Sequence, residues 1–507
     1  MRRKRNFVVS RLFGLIGLFL MTGNSFGIYG QDDFEKFRQG QKAQMEQFKK
    51  NKQAELKNYR DSLNAEYVGF LEKTWDSFNL FRVERGFKPM PKPPVYIPEE
   101  STVPRSDIPV PMAKLNPLPP GRPSPVKDDS KLPDLEPVPV ETERTMTAWF
   151  FGTNVRVKAK ATTSQGFRLS GVSEQAVADY WKSLSQMPLS VWIEDARRLR
   201  QELSLDDWGT FQLMNKLFEA YVPEGTRNER VVFSVFMMNQ LGYRAKIGRA
   251  GDKLYVLLAS RNNLSNTSYF TFGGCGETVK YFVINPFHEN LSTIQSCSAE
   301  YSMGGNAIDF SVTVLPKLSD DGNTQILRFL NDEYSIEYNR NLVDYYATYP
   351  CVDFSVYAGA PLDNRTLKSL KRVLLPPIAH VSQKEAVDFL LHFVQNAFLY
   401  KTDQDQYEYE KWNFAEETLV SSYSDCDDRA VLFAQLIKNL LGMEVVLVYY
   451  PGIHLATAVY FDTDQVSGSY VVLDNRKFMI CDPTYINADS GMSMPDLQNI
   501  PVEIVRL

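Results

Sequence analysis

The residues best suited to covalent chemistry lie near the end of this 507-residue chain. Cys426 stands in SSYSDCDDRAVLFAQLIKNLLG, His454 opens HLATAVYF just after Pro451-Gly452, and Asp482 closes KFMICDPTY. A thiol, an imidazole and a carboxylate are the parts of nucleophilic catalysis. The sulfur attacks a carboxamide carbon, the imidazole takes its proton and returns one to the departing amine, and the carboxylate fixes the imidazole tautomer. Asp425 is a good helix N-cap type, and Val431, Leu432, Gln435, Leu436 and Leu440 continue a helical period. Cys426 is therefore expected at a helix tip, where unpaired N–H groups and the helix dipole favour thiolate. Such surroundings, with an imidazolium, lower a thiol from about 8.5 into roughly 3.5–7.5. Asp427 and Asp428 oppose the anion, and helix geometry predicts that both point away from the sulfur. The Cys426 amide would be one oxyanion donor, worth ~3 kcal/mol. Trp412 and Tyr423 are nearby candidates for the second.

These groups meet only if the surrounding elements cooperate. The pattern predicts helices over 382–399 and 426–441 and strands near 444–450, 454–461, 470–474 and 477–482. A histidine at one strand's start reaches an aspartate at another's end only when the two strands run antiparallel. Cys481, on the opposite strand face from Asp482, reads as core, and His392 in LLHFVQ reads as a packed helix residue. His288 and His380 have no triad-like context.

Upstream, AWFFGTNVRVKAKA and FRLSGV alternate like strands, helices are expected at 173–185, 192–203 and 205–221, and IEYNRNLVDYYATY and FSVYAGA look strand-like. Two stretches of this region overlay each other. SLDDWGTFQLMNKLFEAYVP from Ser204 matches SQKEAVDFLLHFVQNAFLYK from Ser382, both reading as capped helix starts. RVVFSVFMMNQLGYRAKIG matches AVLFAQLIKNLLGMEVVLV 200 residues on, and YFVINPF echoes FMICDPT. In these registers the first copy carries Thr226, Leu254 and Asn285 where the second has Cys426, His454 and Asp482.

SDCDDRA at a helix start, GIHLATAV at a strand start and CDPTY at a strand end together resemble the transglutaminase-like superfamily, over about residues 380–487. That resemblance implies an α+β fold with a papain-like core, a cysteine-bearing helix packed on an antiparallel sheet, here duplicated. It implies a Cys426–His454–Asp482 triad working as a cysteine peptidase or amidase on peptide or protein substrates, or as an acyl transferase. Residues 145–322 would be a degenerate copy and 323–507 the catalytic one. A competing expectation is a non-enzymatic scaffold of paired folds that binds peptides.

The remaining chain reads as accessory. Arg2, Arg3, Lys4 and Arg5, then an apolar run from Leu12 to Met21 and NSFG, suggest a signal peptide over 1–27 and a periplasmic or secreted protein. The apolar run is too short for a confident membrane span. The first cysteine is Cys275, so a lipid anchor is not expected. Residues 28–87 read as a long amphipathic helix, carrying Tyr67, Phe70, Leu71, Trp75, Phe78 and Phe81 as a packing stripe over 32–83 that could also pair two copies. Residues 88–144 read as an extended proline-rich linker, since 16 of the 28 prolines fall in 88–140. A net charge of -5 gives no reason to expect nucleic acid as partner. Four scattered histidines lack zinc-site spacing, so no metal or cofactor is expected. Five cysteines leave at least one unpaired or pairing between chains; Cys275 with Cys297 is one intrachain option.

Overall fold

The computed structural model describes residues 31–82, 95–96, 107–116, 145–159, 168–274, 277–285, 289–462 and 466–507. The expected signal peptide and His288 lie outside these residues. They divide into two compact units, Met1–Asp61 and Ser62–Leu507. The first contributes the polar, largely exposed part of helix α1 (Gln31–Leu71).

The helix read over 28–87 stops at Leu71, because the Trp75 indole N–H turns back onto the Leu71 carbonyl at 3.1 Å. The chain then forms strands β1 (Asp76–Asn79) and β2 (Phe81–Arg82), so Trp75, Phe78 and Phe81 are not helical. The proline-rich stretch also contains strands: β3 (Val95–Tyr96), β4 (Ile108–Pro109) and β5 (Met112–Asn116). A hairpin follows, β6 (Met146–Phe150) and β7 (Thr153–Val157). FRLSGV forms no strand over its described part.

The first globular half holds helices α2 (Glu174–Ser185), α3 (Leu189–Glu202), α4 (Asp207–Tyr221) and α5 (Arg227–Gln240). Its strands are β8 (Ala245–Ala250), β9 (Lys253–Ala259), β10 (Ser268–Gly274), β11 (Glu277–Ile284) and β12 (Thr293–Ser296). The expected cap at Ser204 falls instead on Asp206, which accepts the Gly209 N–H at 2.7 Å. A hairpin of β13 (Asn323–Phe329) and β14 (Asp332–Tyr338) leads into the second half. There RNLVDYY and FSVYAG are helices, α6 (Arg340–Tyr346) and α7 (Phe354–Gly359), not strands. Their aromatic rings, which suggested a sheet, bury against the loop before α11: Tyr346 stacks on Phe414 and Phe354 on Trp412.

Next come α8 (Asn364–Leu374), α9 (Gln383–Ala397), β15 (Leu399–Tyr400), α10 (Asp403–Tyr407), α11 (Ala415–Val420), β16 (Tyr423–Ser424) and α12 (Cys426–Leu436), which ends in a π turn. Strands β17 (Val445–Tyr450), β18 (His454–Tyr460), β19 (Ser469–Leu473), β20 (Arg476–Cys481), β21 (Tyr485–Ile486) and β22 (Val502–Arg506) complete the chain.

Two seven-stranded sheets share one order. The first runs β1-β12-β8-β9-β11-β10-β2, the second β5-β22-β17-β18-β20-β19-β4. In each, a helix packs across the central strands, α5 on β8 and β9, α12 on β17 and β18. Each sheet also curls until both edges meet one short upstream segment. Residues 76–82 pair antiparallel with β12 and β10, and residues 108–116 pair parallel with β22 and β19. The proline segment is therefore more than a spacer: part of it is a strap that shields both edges of the second sheet. Proline is tolerated there because edge positions need not donate on both sides.

Period-2 alternation sorts the second sheet's side chains. Val446, Val448 and Tyr450 face the curled interior with Val110 of the strap, Ala456, Ala458, Phe478 and Ile480. Val445, Leu447 and Tyr449 face the helical core instead. Phe78 and Leu80 pack against the matching interior of the first sheet. The structure is thus α+β, with curled antiparallel sheets and flanking helices.

Candidate active site

Strands β18 and β20 run antiparallel, with Thr457 opposite Cys481. That register carries the start of β18 to the residue just past β20. His454 Nε2 and Asp482 Oδ2 lie 2.9 Å apart, both buried. The second Asp482 oxygen accepts the Thr484 N–H at 2.9 Å, so both are held. Tyr450, the ladder partner of His454, places its ring 6.0 Å from the imidazole.

Cys426 is the first residue of α12, with Asp425 at the N-cap. The Leu455 backbone N–H, next to His454, favours the anion of this sulfur. Helix α12 packs against β18, the strand that His454 opens. The Cys426 side chain is 4% exposed.

Two residues that sequence reasoning passed over hold this geometry. Gln395 on α9 donates through Nε2 to the carbonyls of Asp482, Tyr485 and Ala488 at 3.1, 2.8 and 3.0 Å. It also accepts the Asn487 N–H, which pins the turn carrying Asp482. Arg429, 1% exposed, donates to Ser424 Oγ and to the Gln395 and Phe398 carbonyls, tying α12 to the end of α9. A glutamine in an apolar helix and an arginine two residues past Asp427 were the available signals.

The electrostatics differ from expectation. Ligand atoms of Asp425, Cys426 and Asp427 lie within 4.8 Å of one another, so Asp427 does not turn away from the sulfur. Residues in a first helical turn project toward the N-terminus, which brings this carboxylate back over the cap. Asp428 does point elsewhere, accepting the Asn413 backbone and side-chain N–H groups at 3.1 and 2.9 Å. Asp403 adds further buried acid and Glu410 a half-buried one. Burial, then the Asp425 charge, pushes the Cys426 thiol well above its ordinary value; the Leu455 N–H pulls the other way, and Glu410 and Asp482 raise it further. These surroundings oppose the thiolate that a bare helix tip would favour.

Burial likewise raises the acids, with Asp425 the leading charged neighbour of several. Asp403 is pushed up to about 11 and Asp428 to about 8, each by burial first and then by Asp425. Burial lifts Glu410 to about 7 and Glu416 to about 8. Lys411 keeps its charge against burial through Glu417, at 2.7 Å. The Trp412 indole donates to Glu410 at 3.0 Å and is committed there, not poised as an oxyanion donor. Tyr423 lies exposed beside Lys401.

The other candidates fall away from this cluster. Cys481 is buried core. His392 lies on α9, one-third exposed, with its Nε2 buried 3.2 Å from Asp489. His380 is exposed. The four described cysteines, Cys297, Cys351, Cys426 and Cys481, form no disulfide among themselves, and Cys275 lies outside the described residues. In the first half, the Leu254 N–H donates to Asn228 Oδ1 at 3.0 Å.

In comparisons with known proteins, no family model matches the chain, and no curated protein matches it.

Proposed function

We propose that the protein is a cysteine-dependent amide hydrolase, a peptidase or amidase of transglutaminase-like type, or an acyl transferase using the same chemistry. The observation that carries the reading is the buried 2.9 Å His454–Asp482 pair at the start of the strand against which the Cys426 helix packs. With Asp482 accepting from Nε2–H, the imidazole keeps Nδ1 as the ring nitrogen able to exchange a proton with Cys426. Cys426 then attacks the carboxamide carbon, the proton passes by way of His454 to the leaving amine, and water or an acceptor amine resolves the thioester. The repeated sheet order supports a papain-like core present twice, once without the triad. Export follows from the reading of residues 1–27; among the described residues no helix is long and apolar enough to cross a membrane.

Labelling tests the reading. Wild type and His454→Ala are treated with iodoacetamide at pH 6 and pH 8, and the alkylated cysteine is mapped. Cys426 should label before Cys297, Cys351 and Cys481, at least about tenfold more slowly in His454→Ala. Equally slow labelling of all four would sink the enzyme. That outcome favours the rival reading, a peptide-binding scaffold, which the raised Cys426 thiol and the triad-free first half support.

A further inference from the structure

Attack by Cys426 on a carboxamide places negative charge on the carbonyl oxygen, and oxyanion holes commonly use more than one N–H or O–H donor. Beyond the Cys426 amide, Trp412 is committed to Glu410 and Tyr423 is exposed beside Lys401. The two-stranded ribbon just before α12 supplies a better placed group. Strands β15 and β16 pair in parallel, with Leu399 opposite Tyr423 and Tyr400 opposite Ser424. Paired residues share a face of the ribbon, and successive residues alternate. Leu399 and Tyr423, 63% and 38% exposed, form the solvent face. Ser424, 1% exposed, marks the inward face, and Tyr400 shares it.

That inward face looks onto the first turn of α12. The Ser424 hydroxyl accepts the Arg429 Nε–H at 3.0 Å, and the Arg429 guanidinium stands 5.4 Å from the centre of the Tyr400 ring. Arg429 follows Cys426 by three residues, so the two share one side of the helix, and helical side chains lean toward the N-terminus. The phenol ring is thereby drawn alongside the turn that begins at Cys426. Burial, then the charges of Cys426 and Asp425, push this phenol upward, with Arg429 pulling the other way. Its proton stays in place, as a donor requires. Tyr400 is half-buried, and among the described residues nothing hydrogen-bonds its hydroxyl. An uncommitted O–H near the nucleophile is free to meet a charge that develops only during reaction.

We propose that the Tyr400 hydroxyl is the second oxyanion donor of the site, which makes Tyr400 a catalytic residue. The assignment rests on the amide-hydrolase reading and adds a residue to it. The Cys426 sulfur bonds to the carboxamide carbon, the carbonyl π pair moves onto oxygen, and the thiol proton leaves by way of His454. The new oxyanion accepts hydrogen bonds from the Cys426 amide and the Tyr400 hydroxyl, neither of which gives up its proton. Collapse returns the pair to the carbonyl and expels the amine, which takes the proton held by His454. Arg429, fixed by Ser424 and two backbone carbonyls, holds the ring in place, and its positive charge favours the polarised O–H.

Two electrophiles separate this role from packing, using the full chain. Iodoacetamide alkylates a sulfur by displacement at a saturated carbon and forms no oxyanion, whereas p-nitrophenyl acetate acylates it through a tetrahedral oxyanion. Wild type, Tyr400→Phe and His454→Ala are treated with each at pH 7, and modification of Cys426 is timed by mass spectrometry. Tyr400→Phe should keep the wild-type circular dichroism spectrum and alkylate Cys426 within about twofold of wild type, while its acylation slows about 10²-fold. His454→Ala should slow both reactions. Should Tyr400→Phe fail to fold, O-methyltyrosine placed at position 400 removes the same donor, and the same split is expected. Acylation slowed less than about tenfold overturns the assignment and leaves the hydrolase standing, as does an equal loss in both reactions. A wild-type Cys426 that neither alkylates ahead of the other described cysteines nor acylates overturns the hydrolase reading, and the assignment falls with it.

Discussion

Glu416 offers a quantitative test of how the structure handles acid near α12. Its carboxyl is 2% exposed and accepts the Asp363 N–H at 2.6 Å. Burial, which outweighs that hydrogen bond, lifts it from 4.5 to about 8. The folded form therefore holds a proton that the unfolded chain gives up above pH 4.5. Its stabilising share is complete below that pH and is lost as pH rises towards 8. At about 1.36 kcal/mol per pKa unit, the shift of about 3.5 units corresponds to about 4–5 kcal/mol across the window. Glu416→Gln keeps an oxygen for the Asp363 N–H and removes the titration. Asp403, Asp428 and Glu410 are raised too, so wild-type stability falls with pH for several reasons at once. The informative quantity is thus the difference between the two proteins. Urea unfolding at pH 5.0, 6.25 and 7.5 should show the variant gaining on wild type by about 1.4 kcal/mol per pH unit. Parallel pH profiles would refute the argument, because they would mean that Glu416 already ionises in the folded protein.

Two further outcomes follow from the positioning contacts. Gln395→Leu keeps the volume and removes the donor to three carbonyls, so the Asp482 turn should loosen. Stability should drop by about 1–3 kcal/mol, and the His454-dependent alkylation of Cys426 should lose most of its rate advantage while the helix content holds. Val110→Asp places a charge in the curled interior of the second sheet, where the strap residue is 5% exposed. Global stability should fall by at least about 3 kcal/mol, whereas Lys114→Gln, on the exposed face of the same strap, loses only the partly exposed Glu503 pair and should cost no more than about 1 kcal/mol.

The site's skeleton was legible because it rests on short-range patterns. The N-cap type at Asp425, the apolar period of α12 and the alternation of β17, β18 and β20 all survive in the structure with boundaries close to those expected. The similar strand order of the two sheets fits the repeated pattern read 200 residues apart in the sequence. What escaped depends on distant partners. Pro109 and Pro111 signalled an extended chain correctly, but only the edges of β19 and β22 make that extension a strap. Phe354 and Tyr346 have side chains that suit a strand equally well, and they become helical where Trp412 and Phe414 supply stacking partners. The approach of Asp427 to the cap, and the burial and Asp425 charge that oppose the thiolate, depend on tertiary packing that no local spacing reveals.

The strap has a consequence for how the chain matures. Asp107 finds its partner Gly468 only 361 residues later. During synthesis, at ~5–20 residues per second, these residues must wait tens of seconds outside the ribosome before the strands they cover exist. An extended segment kept waiting is open to adhesion with other nascent chains, and its density of prolines, which cannot donate to a foreign ladder, makes it safe to leave bare. A C-terminal fragment starting at residue 323 would be made without this piece and would emerge with both margins of its sheet uncovered.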